Sequence, residues 1–360
     1  MSDQTLAHPT LRCSIRGKAS TTTTQFRNLK YATIPGRWID SIPNNTLGTG
    51  VEDVFDATTF GPSCQQKRGG QAWDLTLLGN VQMPLQMGHR SNEEEMDEFE
   101  CLNINVTVPK TTLDQQRNAG NTGGKGLPVF VWVHGGGMSI GSNSWPQYDL
   151  TRFVERSVEI GRPVIGVAMN YRVGILGYLA SEELGSEGNF GYKDQVLAFK
   201  WVKKHIAGFG GDPKNITAAG ESAGGISLST LLCADVGDEG LFERVVIMSG
   251  EATLRKTMNK TWHEKMYHDQ LKLLELDNIS VKERTRRLRE MSAEELADKL
   301  PMFQHFCACV DGKFLNKNIT TRVLSDGKQK EGKPDWCKEF VIGDTAHDVS
   351  VLLPLFKHLH

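Results

Sequence analysis

The chain has 360 residues, with 41 Lys and Arg against 43 Asp and Glu, for a formal net charge of -2. That balance gives no electrostatic basis for a nucleic-acid or anionic-membrane partner, and no apolar run approaches the roughly 20 residues that cross a bilayer. The expectation is one large α/β unit acting on a small, uncharged ligand.

Residues 1–25 are polar and Thr-rich and lack the roughly 7 to 15 consecutive apolar residues of a secretory signal. They read as a flexible N-terminal segment, with the domain over 26–360 and a cytoplasmic location expected. The acidic run Glu93-Glu94-Glu95 with Asp97 reads as a solvated loop. Residues 110–126, with four glycines, read as a long mobile turn. Strands are expected at 129–133, 163–169, 215–219, 245–248 and 340–343. Between the first two, Leu150, Phe153, Val154 and Val158 recur at three-and-four spacing, which lays one face of a helix on a sheet. A second helix is expected over 192–206. Residues 262–300 are charged and helix-favouring, and Ser292 with Glu295 forms a capping box. Strands alternating with helices make a mostly parallel sheet covered on both faces. Seven cysteines fit no zinc-ligand spacing, and no metal or other cofactor is expected.

The chemistry-bearing motif is Gly220-Glu221-Ser222-Ala223-Gly224, between a strand-like and a helix-like stretch, with His134-Gly135-Gly136-Gly137 upstream. A G-x-S-x-G corner holds a serine hydroxyl clear of the sheet edge and needs small residues on either side. Charge that builds on an attacked carbonyl oxygen needs N–H donors already aimed at it. The amides of Gly136, Gly137 and Ala223 are candidates for that oxyanion hole, and Ser222 for the nucleophile.

These motifs, together with Phe60-Gly61-Pro62-Ser63-Cys64, Cys101-Leu102-Asn103-Ile104-Asn105-Val106, Asn170-Tyr171-Arg172-Val173-Gly174, Gly188-Asn189-Phe190-Gly191-Tyr192-Lys193-Asp194-Gln195 and Phe209-Gly210-Gly211-Asp212-Pro213, resemble the type-B carboxylesterase family. The resemblance covers most of the chain. It implies the α/β-hydrolase fold and hydrolysis of a small carboxylic ester through an acyl-enzyme on Ser222. In secreted relatives the cysteines matching Cys64 and Cys101 form a disulfide, whereas a cytosolic setting keeps both as thiols. The resemblance also implies that the charged helices of 262–300 wall the substrate gorge; a plain solvent-facing insertion explains their composition equally well.

A serine needs a base to take its proton, and the base needs an acid. α/β-Hydrolases carry them in the order Ser, acid, His. The stretch Phe340-Val341-Ile342-Gly343-Asp344-Thr345-Ala346-His347-Asp348 resembles the family's acid-bearing strand and turn, which makes Asp348 the candidate acid and Asp344 the fallback. The family has Glu followed by Gly there, where this chain has Asp348 followed by Val349. The family's histidine lies well beyond the acid, whereas His358 and His360 stand ten and twelve residues after Asp348. The expectation is therefore a truncated esterase with an impaired triad. His134 belongs to the glycine run and is not read as the base; His205, at a helix end, reads as a surface or packed residue. Glu221 reads either as a charge that steadies the protonated histidine or as a structural acid behind the turn. A non-catalytic binding protein of the same fold is the alternative, distinguished by failure to react with a serine-directed probe. A phosphate-cradling loop at Gly135-Gly136-Gly137 or Gly210-Gly211 is disfavoured, because no Lys-Ser/Thr follows either.

Overall fold

The computed structural model describes residues 3–50, 52–79, 83, 94–119, 126–325 and 332–345. Stretches rich in β-branched and aromatic residues form the strands of one ten-stranded sheet: β1 (Gln4–His8), β2 (Cys13–Ala19), β3 (Thr23–Lys30), β4 (Val54–Ala57), β5 (Asn103–Pro109), β6 (Leu127–Val133), β7 (Ile165–Met169), β8 (Gly211–Glu221), β9 (Arg244–Met248) and β10 (Glu339–Gly343). Its order is β1-β2-β3-β5-β7-β6-β8-β9-β10, with β4 beside β2. From β7 to β10 all neighbours are parallel. From β1 to β7 they are antiparallel. The parallel strands β6 to β9 put Val131, Val167, Ala218 and Val245 in the interior, as expected of strands covered on both faces.

Of the expected flexible segment 1–25, the described residues from 4 onward are instead built into the sheet as β1, β2 and the start of β3. Its polar composition hides a period of two: Cys13 and Ile15 point inward while Arg16 and Lys18 face solvent. Two loop readings are also corrected. Glu94 Oε1 accepts from Ser63 Oγ at 2.6 Å and Trp145 Nε1 at 2.7 Å, and Glu98 meets Arg37 with both side chains largely buried, so this acidic segment is anchored. Lys110–Ala119 is a helix.

Four helices pack on the sheet or close its connections: α1 (Gly70–Thr76), α2 (Lys110–Ala119), α3 (Thr151–Glu159) and α4 (Phe190–His205). In α3 Val154 is buried as expected, close enough to Gly166 of β7 that a Cβ there would sit 3.0 Å from its Cγ2. Phe153, placed on the inner face by its spacing, is 44% exposed and packs on Phe130 at the helix edge. The helix α5 (Ala223–Leu231) is apolar and wholly buried.

The charged insertion forms α6 (Lys260–Leu273), α7 (Val281–Glu290) and α8 (Ala293–Lys299). Each starts on a side-chain cap: Asn259 accepts from the Trp262 N–H at 3.0 Å, Ser280 from Glu283 at 3.3 Å and Ser292 from Glu295 at 3.1 Å. Arg37 Nη1 donates to the carbonyls of Leu288 and Met291, tying the insertion to the N-terminal region. Among the described residues no helix is long and apolar enough to cross a membrane.

His8, His134, His205 and His263 are buried, and burial brings each from an ordinary value of 6.5 down to about 4. The unfolded chain therefore takes up protons at these positions that the folded chain refuses. Stability is full above pH 6.5 and is lost as pH falls toward 4, by about 1.4 kcal/mol per pH unit for each group. Chemical denaturation at a series of pH values should show that decline, and His205→Gln, which removes one of the four groups, should make it shallower by about a quarter. A flat profile across this window would contradict the burial argument.

Candidate active site

Strand β8 ends at Glu221, and the chain turns at Ser222, with φ 53° and ψ -120°, into α5. A positive φ is unfavourable for a residue with a Cβ, at a cost of order 1–3 kcal/mol. The surrounding structure holds it: the Ser222 N–H donates to Met248 O of β9 at 2.9 Å, and Ser222 O accepts from Ile226 N–H at 2.9 Å. Backbones close in so tightly that a Cβ on Gly224 would lie 2.1 Å from Val133 O, and one on Gly250 2.2 Å from Ser222 O. These glycines are thus steric requirements of the corner. The Ser222 side chain is partly exposed, and its hydroxyl makes no hydrogen bond among the described residues.

Val133, at the end of β6, pairs with Gly220, so the glycine run leaves the sheet directly beside the corner. A Cβ on Gly135 would stand 3.3 Å from Ser222 Cβ and 2.9 Å from Glu221 Oε2. Gly136 has φ 102° and Gly137 φ 62°. Gly136 O accepts from the Ser139 and Ile140 N–H groups, both at 3.0 Å, which turns that carbonyl into the loop. The N–H groups of Gly136 and Gly137 have no protein acceptor among the described residues. Ala223 is the first residue of α5, where an N–H has no helical carbonyl to meet. All three candidate donors therefore lack an acceptor among the described residues. Glu221 lies against the glycine run, and its charge contributes to raising the Tyr148 and Tyr171 hydroxyls, though burial is the larger cause.

His134 is stacked on Tyr171 at 4.3 Å between ring centroids, its Nδ1 lies 2.9 Å from Gly135 O, and its Nε2 has no hydrogen-bond partner. Its backbone carbonyl accepts from the Tyr171 hydroxyl at 2.6 Å. It is thus a loop-shaping residue, with no bond to Ser222. His205 is buried at the end of α4, 2.8 Å from Thr10 Oγ1, so it is packed rather than on the surface. Strand β10 ends level with β8, since Met248 pairs with both Glu221 and Gly343, and Ser249 N–H donates to Gly343 O at 2.8 Å. Asp344 follows, exposed. Asp348, the candidate acid, and His347, His358 and His360 lie outside the described residues.

Cys64 and Cys101 are both buried free thiols. Burial, reinforced by a hydrogen bond with Cys101, pushes Cys64 well above the ordinary thiol range. No group of three or more His, Cys, Asp or Glu side chains among the described residues is arranged to hold a metal ion. A cavity of about 30 Å³, lined by Gln66, Ser139, Val173, Ile175, Leu300 and Phe306 among others, lies beyond Ser139 on the glycine loop. It has room for about one water and is not lined by Ser222, so it is not a site for an ester.

Three residues near the glycine loop had no sequence signal: Arg255, Phe303 and Trp73. A Cβ on Gly137 would sit 3.2 Å from Phe303 Cδ1, and Phe303 packs on Trp73 at 4.4 Å between centroids. Each is far from the motifs in sequence, so only the folded chain brings them to the loop.

A family model described as "Carboxylesterase family" matches residues 6–355. Lipase 3 of Yarrowia lipolytica is 31% identical over 342 residues, covering 93% of this chain and 61% of that protein. Para-nitrobenzyl esterase of Bacillus subtilis is 34% identical over 249 residues, 68% of this chain and 43% of that protein. Among solved structures, a thermophilic PNB esterase superposes with a TM-score of 0.70 at 27% identity, covering 95% of this chain and 63% of the other. The chain thus spans less than two thirds of the length of these relatives.

Proposed function

Because the chain belongs to the carboxylesterase family, we propose that it cleaves small carboxylic esters through a serine acyl-enzyme on Ser222. The observation that carries the reading is the strained Ser222 corner, set beside a glycine run in which the Gly136 and Gly137 amides have no acceptor among the described residues. In the proposed reaction Ser222 Oγ attacks the ester carbon as its proton passes to a water, and the carbonyl oxygen becomes an oxyanion facing the amides of Gly136, Gly137 and Ala223. Collapse breaks the C–O bond to the alcohol, which takes up that proton and departs, leaving the acyl group on Oγ; a second water then adds to the acyl carbon, and its proton returns to Oγ as the carboxylic acid leaves. Asp348 is the proposed acid, on its resemblance to the family's turn. No histidine among the described residues bonds to Ser222; the proposal assigns the base to no residue and takes slow turnover as its expectation.

A fluorophosphonate probe tests the nucleophile without requiring turnover. The expected outcome is one covalent label per chain in intact-mass spectra, mapped to Ser222 and absent from Ser222→Ala. A folded wild-type chain that takes up no label would point instead to a non-catalytic binding protein of the same fold.

A further inference from the structure

Arg255, in the segment after β9, brings its guanidinium to the glycine loop. A methyl group placed on Gly137 would stand 3.6 Å from Arg255 Nη2, beside the Phe303 ring that packs on Trp73. One nitrogen is committed, since Nη1 donates to the carbonyls of Gln304 at 2.9 Å and Phe306 at 3.3 Å. Nε and Nη2 have no acceptor among the described residues, and the groups that act on the guanidinium electrostatically include Tyr192, Cys307, Tyr178 and His305, none of them an anion near pH 7. Arg37, Arg172 and Arg284 are similarly buried or half-buried, yet each meets a carboxylate: Glu98, Asp194 and Glu183. Burial draws the Arg255 guanidinium below its ordinary value, but an arginine remains charged. A partly dehydrated cation with two idle donors, next to an apolar aromatic wall, is a receptor for an anion with planar oxygens.

We propose that Arg255 is a specificity-determining residue that receives a carboxylate carried by the ester substrate, so that the site prefers half-esters of short dicarboxylic acids to neutral esters of the same length. The proposal rests on the Ser222 reading, which places the reacting carbonyl at the glycine loop, and adds the substrate's chemistry. It departs from the uncharged ligand expected from net charge, because a net charge of -2 averages over a surface and says nothing of one site.

The test has a binding arm and a reaction arm. By calorimetry, the Ser222→Ala chain should bind monomethyl succinate more tightly than dimethyl succinate, and adding Arg255→Gln should weaken the first by about 10- to 100-fold. Equal binding of the two compounds overturns the proposal whether or not Ser222 reacts. In the reaction arm, the rate of p-nitrophenol release from mono(4-nitrophenyl) succinate is divided by that from 4-nitrophenyl butyrate. Arg255→Gln should lower this ratio by about 10- to 100-fold, while Arg255→Lys, which keeps the charge, should retain part of it. An equal fall with both esters in both variants would mean that Arg255 only braces the 304–306 carbonyls, and would overturn the proposal. If neither ester nor the fluorophosphonate reacts, the hydrolase reading fails, and the calorimetric arm still decides the carboxylate site.

Discussion

Ser222→Ala is expected to abolish p-nitrophenol release from p-nitrophenyl acetate, both the initial stoichiometric phase and whatever turnover follows it. On the proposed mechanism the hydroxyl at the Ser222 corner is the nucleophile, and the Gly136, Gly137 and Ala223 amides have no acceptor among the described residues. Without that hydroxyl no acyl-enzyme can form, so the stoichiometric phase should vanish. The wild-type chain is expected to release about one equivalent and then slow, because p-nitrophenolate leaves readily during acylation whereas the acetyl group left on Ser222 must be attacked by an unactivated water. Turnover that persists in Ser222→Ala would remove Ser222 from the mechanism. Rapid multiple turnover in the wild type, lost in the variant, would show that a competent base reaches Ser222 and would set aside the expectation of slow turnover.

Asp194→Ala should be the most damaging replacement away from the corner. Arg172 and Asp194 form a buried pair in which the guanidinium Nε and Nη2 each donate to a carboxylate oxygen at 2.8 Å. Asp194 also accepts from the Ser41 hydroxyl at 2.6 Å and from the Arg172 backbone N–H at 3.1 Å, and Arg172 Nη1 donates to Ile39 O at 2.8 Å. Deleting the carboxylate leaves a guanidinium buried without its counter-charge, which costs about 3–5 kcal/mol. The loss should reach the site as well. Arg172 follows Tyr171, which stacks under His134, and Gly174 N–H donates to Met138 O at 2.7 Å, so the glycine run rests on this segment. Urea denaturation should show the destabilisation, and fluorophosphonate labelling should slow in parallel. The double replacement Arg172→Met with Asp194→Leu should recover much of the stability, since it removes both charges. A loss below about 1 kcal/mol for Asp194→Ala would show that the pair is better solvated than its burial implies.

Much of the site was legible because its constraints are local. A glycine at 220 or 224 records how closely another backbone passes, and a serine between them records a turn that few sequences tolerate. The expected strands at 129–133, 245–248 and 340–343 correspond to β6, β9 and β10 within a few residues, since parallel strands read as short apolar runs, and this holds even for β10, whose residues are exposed. The antiparallel flank was not legible. In β2 every second side chain faces solvent, so its composition resembles a polar arm until a partner strand is supplied. Glu94 likewise reads as one charge in an acidic run, and becomes an anchor only where Ser63 and Trp145 converge on it.

The sequence by itself determined the family, the parallel half of the sheet and the serine corner, because those depend on residue type and spacing over a few positions. Only the tertiary structure decided which charges are paired. Arg172 and Asp194 were visible as members of two separate motifs, yet their pairing required a strand end and a helix to meet. Arg255 carried no signal at all; its meaning comes from lying beside Gly137 with two donors unused. Coulomb energy and hydrogen bonding depend on distance and on excluded water, and neither quantity exists until the chain has folded.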